Sequence, residues 1–586
     1  MSVAGGASDR SARRGEILIV TGILVWAAAL RALFLARWAA NPLFHYPTGD
    51  EGNFHRTALG LLGLAPEPDA FLYQPLYAFY LTLTYGLLGP DPAAVRTIQL
   101  FIGVITVGLV YGLGHELGGR WVGRISALLA ACYGPLVFFE GQLLAPVLTV
   151  PLTVGGLWCL LRAGRTGRGW LLLPAGVLIG LAAMARPNLL FAVPVAALWW
   201  CWRSDRWRGR LVGAGLAVLG LGLGLAPSWA HNALQDEGGV LISTAGGLTF
   251  YLGNNPQASG RFRVPPGEKI DASSHTAYRR SWQALAERAE GRRLTAGQVS
   301  AHWWRRGLEF WAEMPGRALA LFGKKLLLAL NRQEMPIHHP YFAVADLIPL
   351  LHWLIGFGVV FPFAAVGAWL GRGRSGTGLL VGCFGAYLLS LAVFYVADRY
   401  RVLLLPMALP LAGLGMVALA RRVRRAGLRG AAGGLLVLVL AVAVSRPDFI
   451  TDLQQTKGRY GLYNLMGMTE GERGRVDLAE RYFRRAIQIA GAEHGATARG
   501  NLAIIMEAGG RHAEARALYL EAAALDRENR HVRRRLARLA ERRGRLTEAI
   551  RWWREVAELS AEPSAARAQI ERLQALRDER ASPPAF

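Results

Sequence analysis

Residues 17–35 read ILIVTGILVWAAALRALFL. Wound as an α-helix, such a run matches a bilayer hydrocarbon layer of about 30 Å. It is too long for the core of a cleaved signal peptide and comparable runs follow it, so it is expected to stay in the membrane as a signal anchor. Those runs lie at 94–115, 121–140, 143–162, 170–185, 188–202, 211–231, 347–370, 377–396, 402–420 and 430–446. With 53% apolar residues in 586, the chain reads as a polytopic membrane protein rather than a string of soluble domains.

Arginine placement sets the orientation. Arg10, Arg13 and Arg14 precede the first run. Short links carry Arg120 with Arg124, Arg162 with Arg165 and Arg168, and Arg203 with Arg206, Arg208 and Arg210. Arg372 with Arg374, and Arg421 with Arg422, Arg424 and Arg425, complete the set. All are expected on the cytoplasmic side. The alternation closes only if a shorter run at 72–89, interrupted by Pro75, does not cross. About eleven spans result, with the N-terminus inside and the C-terminus outside. The 72–89 segment is then a juxtamembrane or re-entrant helix on the outer face, within the outer loop 38–93.

The formal charge of +25 does not point to nucleic acid, because the basic residues sit in those links and in the C-terminal helices without aromatic interleaving. Only four lysines stand beside the many arginines, as a GC-rich genome would produce. Cys132, Cys159, Cys201 and Cys383 fall inside apolar segments, far apart, and read as lipid-buried or packing thiols rather than a zinc site or disulfides. A second outer loop, 232–346, mixes turn signals (Gly253-Asn254-Asn255-Pro256 and Val264-Pro265-Pro266-Gly267) with an amphipathic stretch at 299–332. There Trp303, Trp304, Phe310 and Trp311 beside Arg305, Arg306 and Arg317 suit a helix lying in the membrane interface.

Beyond residue 455 the composition turns to Ala, Arg, Glu and Leu, and the chain repeats itself. Met466, Leu502 and Leu536 correspond, each followed by a small residue (Gly467, Ala503, Ala537). So do Ala479, Ala515 and Ala549, then Phe483, Tyr519 and Trp553, then Ala486, Ala522 and Val556. Gly474, Gly510 and Gly544 mark the turns between paired helices. This resembles the tetratricopeptide repeat over 461–564, with a capping helix at 565–578, in a domain spanning 455–580. Such arrays bind a protein or peptide partner, or brace their neighbour. The expected fold is therefore all-α, a polytopic membrane helical bundle over 1–450 followed by an α-solenoid.

Residues able to carry chemistry gather on the predicted outer side. Thr48-Gly49-Asp50-Glu51-Gly52 follows the first span, beside His45, His55 and Arg56. An acid at the mouth of a helical bundle can serve as a general base. Arg96, Arg186, Arg399 and Arg401 fall on the same side, where topology alone does not call for arginine. Each needs an anion, from a lipid head group or a substrate phosphate. Glu140, at the end of the 121–140 run, would pair with one of these arginines, bind a substrate hydroxyl or help hold a metal.

In order along the chain, Asp50-Glu51, Gln74-Pro75-Leu76-Tyr77, Ala94-Val95-Arg96, Ala185-Arg186-Pro187 and Asp398-Arg399-Tyr400-Arg401 with Pro406 resemble membrane glycosyltransferases of the GT-C type. The resemblance covers 10–420 and points to glycosyltransferase family 39, the protein O-mannosyltransferase and aminoarabinose transferase superfamily. The stretch from Gly246-Gly247 to Pro256, with Asn254, is similar to bacterial members. Gln74-Pro75 stands where relatives often carry Pro-Pro, and the extra soluble domain in the mannosyltransferases' outer loop is lacking.

The resemblance implies an inverting transfer from a polyprenyl-phosphate-linked sugar to an acceptor hydroxyl. Asp50 would be the base and Glu51 would orient it or the acceptor. Arg96, Arg399 and Arg401, with Arg186, would neutralise the departing phosphate, and Glu140, Tyr400 and Asn254 would join the substrate site. A divalent metal is conceivable at Asp50, Glu51 or Glu140, though no ligand cluster demands one. The chain would sit in the inner (plasma) membrane, with lipid, donor and a repeat-bound protein or peptide as partners. Two other readings compete. An O-antigen ligase or polymerase-like enzyme would use a diphosphate-linked glycan and generally lacks an acidic pair after the first span. A transporter would show internal symmetry, and none is evident within 1–450; a non-enzymatic scaffold is the remaining case.

Overall fold

The computed structural model describes residues 3–65, 74–204, 206–234, 240–265, 268, 270, 275–337, 340–448, 451–560 and 563–581. Of the stretches singled out above, residues 72–73 and the Pro266-Gly267 turn lie outside them. Helices carry the fold, and among the described residues only two isolated β-bridges occur, Tyr133 with Ile355 and Arg261 with Val396. The chain forms two compact units, one of Met1–Pro266 with Gln283–Ile450, the other of Gly267–Trp282 with Thr451–Phe586.

Among the described residues of the first unit six helices are long and apolar enough to cross a membrane: Arg13–Trp38, Pro92–Gly118, Pro146–Thr166, Trp207–Leu234, Ser375–Val393 and Asp398–Ser445. The last is broken at Ala426 and Gly427, where φ of Gly427 is +61°, so it supplies the two separate runs expected there. The 121–140 run is also two pieces, Arg120–Ala131 and Gly134–Glu140. The run at 188–202 begins as a 3-10 stretch, Pro187–Ala192, before Val193–Arg203. Leu76–Leu88 has 13 residues, about 20 Å of helix, which is short for the hydrocarbon layer.

Helix contacts in this unit rest on small residues. Gly176 and Gly180 of the Leu172–Ala185 helix face Gly220 and Gly224 of Trp207–Leu234. A Cβ on Gly224 would lie 2.6 Å from the Val177 carbonyl oxygen and 2.8 Å from the Gly180 Cα. Both pairs have GxxxG spacing, which lets helix backbones touch in lipid, where apolar burial gives no preference between helix and tail. Gly224→Ile is expected to lower the thermal midpoint of the solubilised protein sharply, by the equivalent of about 3 kcal/mol or more. Gly222→Ile on the same helix, where a Cβ meets nothing within 4 Å, should leave it nearly unchanged. Equal midpoints for the two variants would refute the contact.

The aromatic stripe expected to face lipid is buried instead. The stretch forms two helices, Ala296–Glu313 and Pro315–Leu330, and its aromatic side packs on the helix Gly246–Gly253. Trp304 stacks on Phe250 at 4.2 Å and Trp303 meets Tyr251 at 4.7 Å. Gly307 lets Phe250 approach, since a Cβ there would fall 2.5 Å from its ring. Leu308, Leu319 and Leu327 are the exposed large apolar residues on these two helices. Sequence periodicity reports an amphipathic face and not what covers it.

The described residues from 451 onward form three helix pairs, Asp452–Glu472 with Val476–Ala490, Ala496–Ala508 with His512–Leu525, and Arg530–Arg542 with Leu546–Glu558, and then Ser564–Ala581. The turn glycines Gly474, Gly510 and Gly544 have φ of +73°, +76° and +69°, left-handed values that a side chain would strain. Ala479, Ala515 and Ala549 are fully buried against the aromatic column. A further column emerges here: the Tyr519 hydroxyl donates to Glu507 at 2.8 Å, and the Trp553 indole N–H donates to Glu541. Arg499 and Arg533 reach Glu521 and Glu555 in the same register, both at 2.9 Å.

Candidate active site

The helix Gly49–Leu61 begins with Gly49 at φ +56° and carries Asp50 and Glu51 in its first turn, where free backbone N–H groups favour acids. Gly52 fits beneath the Pro47 carbonyl, which a Cβ would meet at 2.7 Å. The two acids then diverge. Asp50 forms an ion pair with Arg399 and keeps part of its surface open. Glu51 is buried, pairs with Arg96 at 2.8 Å and accepts the Leu143 N–H. Burial pushes the Glu51 carboxyl above the ordinary glutamate range, with the Arg96 guanidinium pulling against it.

Arg96 stands one turn inside the helix Pro92–Gly118, whose start is fixed by Pro92 and the Asp91 cap. It is fully buried. Besides Glu51 it donates to the carbonyls of Gly141 (2.9 Å), Phe44 (2.6 Å) and Leu43 (3.5 Å). Those bonds commit it to protein acceptors, so its place is that of a clamp holding Glu51. One turn on, Gln99 donates to the carbonyls of Glu140 and Gln142 at 2.8 and 2.9 Å and accepts from Tyr77. The Glu140 carboxylate meets none of the four outer arginines. Its partner is Arg31 of the first helix, at 2.7 Å and equally buried. Gly103 makes room for that pair, since a Cβ there would sit 2.6 Å from Glu140 Oε2.

The short helix Asp398–Arg401 completes the site. Tyr400 packs against two guanidiniums, with Arg186 4.4 Å and Arg399 5.2 Å from its ring centroid. Its hydroxyl is 3.2 Å from that of Tyr395. Arg186 is nine-tenths buried and, among the described residues, has no carboxylate within ion-pair distance and no acceptor for its Nε. Arg401 turns the other way, to Glu334 at 2.5 Å and the Asn331 carbonyl. A small, partly open cavity is lined by Asp50, Glu51, Phe139, Leu144, Ile337, Asp398 and Arg399.

The structure thus brings Asp50, Glu51 and Arg399 to one cavity, with Tyr400 packed against Arg399 and Arg186 against Tyr400. Asn254 is elsewhere. Its amide donates to the Phe250 and Val393 carbonyls and accepts from Trp311 and Lys325, each at 3.1 Å, as a joint between segments. His55, beside the acidic pair in sequence, meets the Tyr85 hydroxyl at 2.8 Å. Among the described residues no group of three or more His, Cys, Asp or Glu is placed to hold a metal. Sequence reading missed Arg31, although a charge inside an apolar run is a legible signal. It also missed Gln99, Glu334 and Lys325, which carry none.

Lys325 is fully buried, and desolvation pushes its ammonium down to about 7. A base whose pKa falls on folding loses stability as pH drops, because the unfolded chain takes up a proton that the folded chain refuses. Between about pH 7 and the ordinary lysine value of 10.5, stability is expected to rise with pH by about 1.4 kcal/mol per unit. Lys325→Met should remove that slope from thermal unfolding curves recorded across this window.

Residues 68–230 match the family described as dolichyl-phosphate-mannose-protein mannosyltransferase, and residues 460–528 match the tetratricopeptide repeat. The membrane unit therefore carries a segment similar to a mannosyltransferase family of the GT-C type, and the second unit carries tetratricopeptide repeats. No curated protein matches it. Among solved structures it is similar to the oligosaccharyltransferase AglB of Archaeoglobus fulgidus, in complex with an inhibitory peptide and a dolichol-phosphate, at 13% identity and a TM-score of 0.40. That match covers 79% of this chain and 59% of AglB, so the chain spans less than two thirds of that protein's length. It is also similar to ArnT of Cupriavidus metallidurans bound to undecaprenyl phosphate, at 13% identity, TM-score 0.39, covering 88% of this chain and 80% of ArnT.

Proposed function

We propose that the protein is an inverting glycosyltransferase that moves a sugar from a polyprenyl-phosphate donor to an acceptor hydroxyl on the extracytoplasmic face of the inner (plasma) membrane. The observation that carries this reading is the charge around Tyr400. A buried guanidinium, Arg186, and a partly buried one, Arg399, lie against one ring, and of the two only Arg399 has a carboxylate among the described residues, Asp50. A desolvated cation without a counterion calls for an anion, and a lipid-linked phosphate supplies one at the depth of a helical bundle.

In this scheme the donor phosphate settles on Arg186 and draws Arg399 from Asp50. Asp50 then accepts the acceptor's proton as its oxygen bonds to the anomeric carbon. The bond from that carbon to the phosphate oxygen breaks, and the departing charge rests on the two guanidiniums. Glu51, locked by Arg96, fixes the helix turn that presents Asp50. The N-terminus is cytoplasmic, and the repeats lie outside, binding a protein or peptide that is, or delivers, the acceptor. Mass spectrometry of envelope glycans and glycoproteins from wild-type and Asp50→Ala cells tests the scheme. Disappearance of one defined sugar from one class of acceptor is the expected result, and identical profiles would exclude it.

A further inference from the structure

Around the cavity three carboxylates are each met by a guanidinium: Asp50 by Arg399, Glu51 by Arg96 and Glu334 by Arg401. Two side chains of opposite sign are left over. Arg186 is the cation discussed above. The other is Asp398, which lines the cavity, is 3% exposed and has no cation within ion-pair distance among the described residues. The arginines nearest to it in sequence are engaged, Arg399 with Asp50 and Arg401 with Glu334.

Asp398 is also held still. Its backbone N–H donates to the Met335 carbonyl at 2.9 Å, and its Oδ1 accepts the Arg399 N–H at 2.7 Å. A buried acid without a counterion is costly unless a hydrogen-bond donor meets it, and a fixed one recognises a donor at a fixed place. A site with an anion-seeking arginine and a donor-seeking carboxylate is complementary to a molecule bearing a phosphate and hydrogen-bond donors. A phosphate-linked sugar has both.

Building on the sugar-transfer reading, we propose that Asp398 binds a hydrogen-bond-donating substituent of the donor's sugar, a hydroxyl or an ammonium, and thereby sets which sugar is transferred. This is a specificity role, separate from the base assigned to Asp50.

The full-length purified chain is tested with a polyprenyl-phosphate-linked neutral hexose, a polyprenyl-phosphate-linked aminopentose and sugar-free polyprenyl phosphate. Asp398→Asn keeps an oxygen for the Arg399 N–H, so it preserves the helix turn, and Asp398→Ala removes the group. Both are expected to raise KM for the preferred donor by roughly ten- to a hundredfold with little change in kcat. Affinity for sugar-free polyprenyl phosphate should stay the same. If the aminopentose donor alone suffers in Asp398→Asn, the substituent is an ammonium; if the hexose donor suffers, it is a hydroxyl. An unchanged KM and sugar preference would overturn the proposal, as would an equal loss for the sugar-free lipid. If the wild-type chain neither binds the sugar-free lipid nor transfers from either donor, the transfer reading falls and takes this role with it. Should Asp398→Ala fail to fold, Asp398→Asn carries the test.

Discussion

Replacing Asp50 with alanine is expected to reduce sugar transfer by about a hundredfold to ten-thousandfold, the usual contribution of a positioned general base. The fold should survive, because Asp50 and its partner Arg399 both keep partial access to solvent and the stranded guanidinium can be hydrated. Asp50→Asn is the sharper variant, since it retains shape and a hydrogen bond to Arg399 while removing basicity. Initial rates with saturating donor, alongside a thermal midpoint for each variant, decide the matter. Wild-type rates in Asp50→Asn would move the base elsewhere.

Arg186→Ala should behave unlike a typical buried-arginine deletion. No carboxylate is left behind, so the thermal midpoint is expected to hold or rise. Transfer should fall by about 10²- to 10³-fold, the cost of losing one preorganised donor at a developing charge. Affinity for polyprenyl phosphate should fall with it. Arg96→Ala gives the contrast: it strands Glu51 and the carbonyls of Gly141, Phe44 and Leu43, at about 3–5 kcal/mol in stability. Reversed behaviour of the two variants would exchange their assigned roles.

Much of the architecture was legible because its signals are local. Apolar runs, turn glycines and the small–aromatic columns of the repeats each follow from a few neighbouring residues. The candidate site was half legible. Asp50, Arg399 and Tyr400 stand out because charged and aromatic residues flank apolar runs on one predicted side. Which acid meets which arginine was not legible, because helix packing chooses the partner. Asp50 and Arg399 lie 349 positions apart, and Glu140 and Arg31 lie 109 apart. Arg96 was expected at the phosphate for the same reason. Nothing near it in sequence announces that three carbonyls from two distant turns converge on its guanidinium. The Trp-rich helices err in the opposite direction, since their local pattern is clear and only its cover was misjudged.

The Arg31–Glu140 pair has a consequence for how the protein is made. An arginine inside a membrane helix raises its insertion free energy by roughly 2.5–3.5 kcal/mol at the helix centre. The acid that answers it leaves the ribosome 109 residues later. Through that interval the first helix carries an unanswered charge, and lipid alone is a poor resting place for it. Its final seat therefore waits for the helix bearing Gly103 and for Gly134–Glu140, so assembly of the bundle has a built-in order. A chain truncated before residue 134 would display a bare guanidinium to membrane quality control.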